Sequence, residues 1–270
     1  MGSLKSPYRY AGGKSKLLPQ IMHYLNALVK DSEIYIEPFV GGGSVFLEIV
    51  NRYPDKTFYL NDKNIGVASF WSIVTGGNDK CLQELSQLID QQPTPALHAK
   101  LRKNKSDDPV MLAYKSIFFN RCNFSGIEAS GMIGGVEQKS KYKIDCRYNA
   151  TKIKDKINQI NQATRGKVIV SNLDIMDYHF FWESNHPSYL DPPYVEAGKQ
   201  LYVKYMEDSE HKKLAERLVS RENWLLSYDD HTLIRELYSD QEIIDLSVRY
   251  SIDGNKEKWK INNELLIKRK

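Results

Sequence analysis

The sequence predicts an α/β fold built on a doubly wound sheet, and three observations carry that expectation. Short apolar runs of strand length alternate with longer runs whose apolar residues recur at helical spacing. One short run, Ile34-Tyr35-Ile36, passes directly into a glycine turn and a helix start. Another, Ser188-Tyr189-Leu190, is stopped by two consecutive prolines. In such folds ligands bind at the carboxyl ends of the strands. A chain of 270 residues with 41% apolar content can bury one large core and a smaller subdomain.

The first element is a helix-like run, Leu17–Val29, preceded by Tyr10-Ala11-Gly12-Gly13-Lys14. Gly13-Lys14-Ser15 matches the end of a phosphate-binding loop, but the first glycine of that motif would fall at Tyr8, so the stretch reads as a flexible turn. Strand one feeds Glu37-Pro38-Phe39-Val40-Gly41-Gly42-Gly43-Ser44 and then the helix-like run Val45–Val50. Glycines at such a turn let backbone N–H groups approach a ligand closely. Gly41 and Gly43 fit a dinucleotide fingerprint, but its third glycine would fall at Phe46. Strand two, Thr57-Phe58-Tyr59-Leu60, ends at Asp62, roughly 20 residues past the glycines, where a carboxylate suits the two hydroxyls of a ribose. The cradle therefore fits an adenosine cofactor without a pyrophosphate, with Pro38, Phe39, Gly41, Gly43, Ser44 and Asp62 as candidate contacts.

Residues 66–164 read as mostly helical, with Lys80–Asp90 and Val110–Phe119 carrying apolar positions at helical spacing. Asn123–Gly135 is glycine-rich and predicts a protruding loop or hairpin. The sheet resumes at 168–170, followed by Asp174 as a further candidate cofactor contact. Tyr189-Leu190, Trp224–Ser227, Ile243-Ile244 and Leu265–Ile267 read as later strands, and Ser209–Ser220 as an amphipathic helix.

Asp191-Pro192-Pro193-Tyr194 is the most telling tetrapeptide. Two prolines can continue neither a strand ladder nor a helix, so the chain halts with its carbonyls exposed. A carboxylate precedes that stop and a flat aromatic follows it. This set suits a planar exocyclic amine: Asp191 and the Pro192 carbonyl accept its two N–H protons, and Tyr194 covers the ring. A proline-rich turn of no chemical consequence is the alternative for the string taken alone.

Composition narrows the class. No run of 18 apolar residues and no secretory pattern is visible, which predicts a soluble, cytoplasmic protein without a membrane partner. Cys81, Cys122 and Cys146 lack metal-ligand spacing, and the six histidines form no metal motif, so no metal is expected. Residues 98–167 hold 15 Lys and Arg against 6 Asp and Glu, or +9, which leaves −5 for the rest of a chain whose net charge is +4. A basic middle in an acidic remainder predicts a nucleic-acid footprint confined to one subdomain. Lys139, Lys141 and Lys143 form one of its two densest clusters.

Taken in order, these motifs resemble the Dam-type N6-adenine DNA methyltransferases of the D12 class. Their pattern runs from an aromatic-Ala-Gly-Gly-Lys start through a Glu-Pro-Phe-x-Gly-x-Gly-Ser loop and an acid ending strand two to Asp-Pro-Pro-Tyr. The likeness extends to Asn263-Glu264-Leu265-Leu266, which is similar to the family's last core strand. It implies S-adenosyl-L-methionine as cofactor, held by Tyr10, Lys14, Asp62 and Asp191. It also implies double-stranded DNA as substrate, an extruded adenine as target, and a Rossmann-like methyltransferase sheet. The implied catalytic domain is 1–65 and 165–270, with Asp191, Pro192, Pro193 and Tyr194 at its centre. Residues 66–164 form an inserted DNA-recognition subdomain.

Within that insertion, Asn120–Ile127 is similar to the segment that enters DNA beside the target base, and Phe124 holds its aromatic position. Arg9, Arg121, Asn123, Phe124 and Ser125 join the three lysines as candidate DNA contacts. The chain departs from the family at Ser125, where Asn is usual, and at Ala129, where relatives carry the Arg that helps read a guanine. Its target sequence is therefore not legible. A cognate restriction endonuclease and a monomer or weak dimer fit the resemblance. N4-cytosine methylation, methylation of another amine, and a non-enzymatic DNA-binding module remain alternatives from the sequence alone.

Overall fold

The computed structural model describes residues 3–9, 14–195, 206–251 and 259–270. In chain order its helices are α1 (Leu18–Val29), α2 (Ser44–Arg52), α3 (Ile65–Thr75), α4 (Asp79–Ile89), α5 (Pro95–Lys103), α6 (Pro109–Cys122), α7 (Ala150–Thr164), α8 (His179–Glu183), α9 (Asp208–Leu218) and α10 (Thr232–Leu237). The strands are β1 (Ile34–Glu37), β2 (Thr57–Asn61), β3 (Val168–Ser171), β4 (Ser188–Leu190), β5 (Trp224–Asp229), β6 (Glu242–Ser251) and β7 (Trp259–Lys268). The expected α/β class holds. The chain divides into two compact units, residues 1–13 with 40–174, and residues 14–39 with 175–270.

In the first unit β2 and β3 pair in parallel, Phe58 opposite Val168 through Asn61 opposite Ser171. Five of its helices start on polar side chains that accept from the first-turn backbone: Asn64, Asn78, Thr94, Asp108 and Asn149. α3 is apolar on nearly every face because it is buried nearly all round. Its Phe70 and Trp71 rings meet Tyr8, and Trp71 also meets Phe46, in edge-on or tilted contacts. The expected helical middle is present as α3 to α7.

The second unit carries β1, β4 and β5 in parallel, with Ile36 opposite Ser188 and Leu190 opposite Leu226. β7 runs antiparallel to both β5 and β6. The last two strands are ten residues each, far longer than the two- and three-residue apolar runs that announced them. Their polar residues, Glu242 and Asp245 on one strand and Lys268 on the other, hid the length, whereas ladder pairing from Glu242–Lys268 to Ser251–Trp259 depends on backbone groups alone. The expected doubly wound sheet is thus mixed, with an antiparallel end.

Between α6 and α7 the expected loop or hairpin is a loop. It carries one antiparallel bridge, Asn123 with Met132, and one turn of 3-10 helix at Phe124–Gly126. Glycines and Ser125 account for the irregularity: Ser125, Gly126, Gly134 and Gly135 all sit at positive φ, which no strand tolerates.

Candidate functional site

In the second unit β4 ends at Leu190, and Asp191 is the first residue beyond its ladder. One carboxylate oxygen, Oδ1, accepts from Ser227 Oγ on the neighbouring β5 at 2.9 Å. The Ser227 hydroxyl is in turn fixed by the Tyr189 hydroxyl at 2.8 Å. Lys14 Nζ lies 3.1 Å from the same Oδ1 and 2.9 Å from Glu264 Oε2 on β7. The Tyr194 hydroxyl donates to that Glu264 oxygen at 2.9 Å and accepts from Lys14, whose ammonium sits 4.5 Å from the Tyr194 ring centre.

Burial alone would lower the Lys14 pKa, but Asp191 and then Glu264 outweigh it and hold the ammonium charged above its ordinary range. Burial, followed by repulsion from Asp191 and Glu264, pushes the Tyr194 phenol upward, so it stays a neutral donor. Among the described residues, nothing donates to Asp191 Oδ2. That leaves one fixed acceptor beside a rigid Pro-Pro stop, with Pro192 buried and Pro193 half-buried.

Ser227 and Glu264 were not singled out by sequence reasoning. The signal was present: each is a polar residue inside an apolar strand, Leu225-Leu226-Ser227 and Glu264-Leu265-Leu266, and each is buried. A buried acid in a core strand implies a buried cation. Pro38 is buried and Phe39 half-buried just past β1 in this same unit. Tyr10 lies outside the described residues.

In the first unit the glycine turn is held by Asp62 directly after β2. Its two carboxylate oxygens accept from Gly41 N at 2.9 Å and from Asn64 N at 2.8 Å. Burial raises its pKa to about 6, against the lowering effect of those two N–H groups. Gly41 and Gly43 take φ of 44° and 66°. A Cβ on Gly43 would stand 2.4 Å from the Trp71 ring, and Trp71 Nε1 donates to the Gly41 carbonyl at 2.9 Å, so the turn is locked and requires glycine. Ser44 opens α2 directly after it. Asp174 faces Lys63 across 2.5 Å. The donor set fits an adenosine: each Asp62 oxygen has a further lone pair for a ribose hydroxyl, and the turn supplies close backbone.

The candidate DNA contacts also lie in the first unit. Phe124 is 55% exposed, as a side chain meant to enter a helix stack would be. Asn123 is fully buried; its amide reaches His98, Ile127 O and Glu128 O, so it shapes the loop from within. Lys139, Lys141 and Lys143 are exposed, although Lys139 leans on Glu137 at 2.6 Å and Lys143 donates to the Gln138 carbonyl. The Arg9 backbone is gripped on both sides by Asn120, at 2.6 and 2.7 Å, and Arg121 donates to the Pro7 carbonyl. Ser125 holds φ 54°, the left-handed region that Asn adopts more readily.

Comparison with known proteins places this geometry. The family model "D12 class N6 adenine-specific DNA methyltransferase" matches residues 10–252. The Type II methyltransferase M.MjaIII of Methanocaldococcus jannaschii is 30% identical over 229 residues, 77% of this chain and 76% of that protein. The DNA adenine methylase of Escherichia coli K12 is 28% identical over 96% of this chain and 92% of its own length. That of Haemophilus influenzae is 25% identical over 93% and 88%.

Proposed function

The chain belongs to the D12 class of N6 adenine-specific DNA methyltransferases, and from that premise we propose how its residues divide the work. The enzyme methylates adenine in DNA in a site-specific manner, with S-adenosylmethionine as the methyl donor. That cofactor supplies an activated methyl carbon, so the protein's task is to hold and orient the amine.

On our reading the target adenine is extruded from the duplex and its N6 amine meets Asp191 Oδ2 and the Pro192 carbonyl. Accepting both N–H protons turns the nitrogen lone pair away from them, toward the methyl carbon, and one of the two protons leaves after transfer. Tyr194 and Pro193 bound the base. Lys14 holds Asp191 in place, and Tyr10, Pro38, Phe39, Gly41, Gly43, Ser44, Asp62 and Asp174 are the cofactor contacts.

One observation carries this assignment: Asp191 Oδ1 is saturated by Ser227 and Lys14 while Oδ2 is left for a ligand. We assign residues 1–65 and 165–270 to chemistry and 66–164 to DNA reading. Arg9, Arg121, Phe124, Ser125, Lys139, Lys141 and Lys143 touch DNA, and Asn123 acts by shaping their loop. The enzyme works on cytoplasmic DNA as a monomer or weak dimer, with or without a cognate endonuclease.

Sequencing DNA from an expressing, methylation-deficient host tests the reading. N6-methyladenine confined to one short motif, and absent with Asp191→Ala, is the expected result. Methylation that persists in that variant overturns the residue assignment.

A further inference from the structure

Beside the loop between α6 and α7, the first unit holds a cavity of about 320 Å³. Arg9, Phe124, Ser125, Ser140, Tyr142 and Arg147 are among its lining residues, and none of the described residues lining it is acidic. Phe124 and Tyr142 are exposed by 55% and 56%, so the walls include two bare aromatic faces. Arg9 is fixed through its backbone by Asn120, yet its Nη1 is buried without a hydrogen-bond partner. Arg147 is exposed at the rim.

Cations outnumber carboxylates around the cavity, Asp145 being the acid that acts on Cys122 together with Arg121 and Arg9. Burial disfavours the Arg9 guanidinium, and Arg147 is the next largest cause. Arg121 is brought down to about 10 by burial and then by Arg9. Lys156 is lowered by burial, then by Arg121 and Lys5. Folding has thus drawn together a group of partly desolvated cations that repel one another, and such a group is completed by an anion from outside the chain.

We propose that Arg147 and Arg9 form a clamp for a single phosphate of the DNA backbone, placed beside the point where Phe124 meets the bases. This deepens the DNA-reading assignment above and rests on it. Guanidinium forks match phosphate oxygens bidentately, and although the same fork also fits the two acceptors of a guanine edge, that edge is neutral and leaves the clustered cations unbalanced. A phosphate also supplies the full negative charge the site lacks. The clamp holds register without reading sequence.

Arg147→Gln tests the clamp, because an exposed rim residue can lose its charge without disturbing the core. Duplex affinity is measured by fluorescence anisotropy over a range of salt, and circular dichroism confirms the fold. Loss of one phosphate contact predicts a log–log salt slope smaller by about 0.9 and affinity about fivefold weaker near 0.15 M salt, equally for all sequences. Arg147→Lys, which keeps the charge, restores most of the slope. A duplex series with single methylphosphonate linkages should reveal one neutral position that weakens the wild type about fivefold and Arg147→Gln, which keeps only Arg9 there, by distinctly less.

An unchanged slope in Arg147→Gln overturns the clamp, and so does a loss confined to one base pair. Competition by inorganic phosphate at matched ionic strength, with duplex binding untouched by the substitution, makes the cavity a free-anion site and overturns the DNA clamp. A wild type that shows no salt-dependent duplex binding overturns the DNA-reading assignment itself, which is a distinct result.

Discussion

The Asp191 cluster and the Arg9 cavity are both built around desolvated cations, and the fold completes them in opposite ways. Lys14 meets two carboxylates at 3.1 and 2.9 Å, one of which also takes Ser227 while the other takes Tyr194. After burial, Arg147 is the largest influence on Arg9, and Arg9 in turn is the largest charge acting on Arg121. A cluster balanced from within keeps its geometry before any ligand arrives, which is what an acceptor aimed at a transition state requires. A cluster left unbalanced keeps its favourable electrostatics for the ligand, which is what attraction of a polyanion requires.

The largest effect is expected where the balanced cluster touches substrate. Asp191→Ala removes the open acceptor and should lower the single-turnover methylation rate by about 10²–10³ while the fold persists. A rate within about threefold of wild type would end the catalytic assignment. Glu264→Gln takes away one of the two counter-charges of Lys14 and keeps the volume. It should destabilise the protein by about 2–4 kcal/mol in chemical denaturation, since it breaks a buried ion pair and leaves the ammonium with Asp191 alone. Unchanged stability would mean that the cluster is not balanced as described.

Asp62 sharpens the comparison from a third position, because its partners are backbone N–H groups and not a cation. Asp62→Ala should weaken cofactor binding by about 1.5–3 kcal/mol in calorimetry and leave cofactor-free DNA affinity nearly unchanged. Equal losses in both would make Asp62 purely structural. Its raised pKa also sets a pH window. The folded state favours the protonated form, so the stability Asp62 contributes is present at low pH and is lost as pH rises from 3.8 to about 6. Cofactor affinity should move the other way, rising as the carboxylate ionises near pH about 6, and Asp62→Ala should flatten that titration.

On the unbalanced side the effects are smaller and shared among residues. Replacing Lys139, Lys141 and Lys143 together should weaken binding to every duplex alike and reduce the salt slope, with about 0.9 per lost phosphate contact as the ceiling. The loss should fall short of three full contacts because Lys139 is paired with Glu137 and Lys143 with a carbonyl. A loss limited to one sequence would show that the lysines read bases. Phe124→Ala should cost least in ground-state affinity, and its rate defect should be partly rescued by a mismatched target, which costs less to extrude. Fluorescence of 2-aminopurine at the target reports extrusion directly; an unchanged signal with an unchanged rate would remove Phe124 from the interface.

The sequence by itself determined the elements and much of the chemistry. Helical spacing announced α1, α4 and α9 within a residue or two, and α6 likewise at its start, although α6 runs three residues past the expected Phe119 to Cys122. Asp191 and the Gly41–Asp62 pair were legible because local backbone rules marked them: prolines end strands, and glycines take positive φ; Lys14 came only from the family resemblance, its own stretch reading as a flexible turn. What only the tertiary structure decided depends on residues far apart in the chain. Glu264 reaches Lys14 across 250 positions, and Ser227 reaches Asp191 across 36, so neither could be found by a motif of fixed spacing. The same holds for Asn123, which is buried and braces its loop, and for Arg147, which no motif marked and which lines one cavity with Arg9. Local sequence specifies backbone conformation through sterics within a few residues, whereas charge balance is set by which distant strands and loops the core brings together.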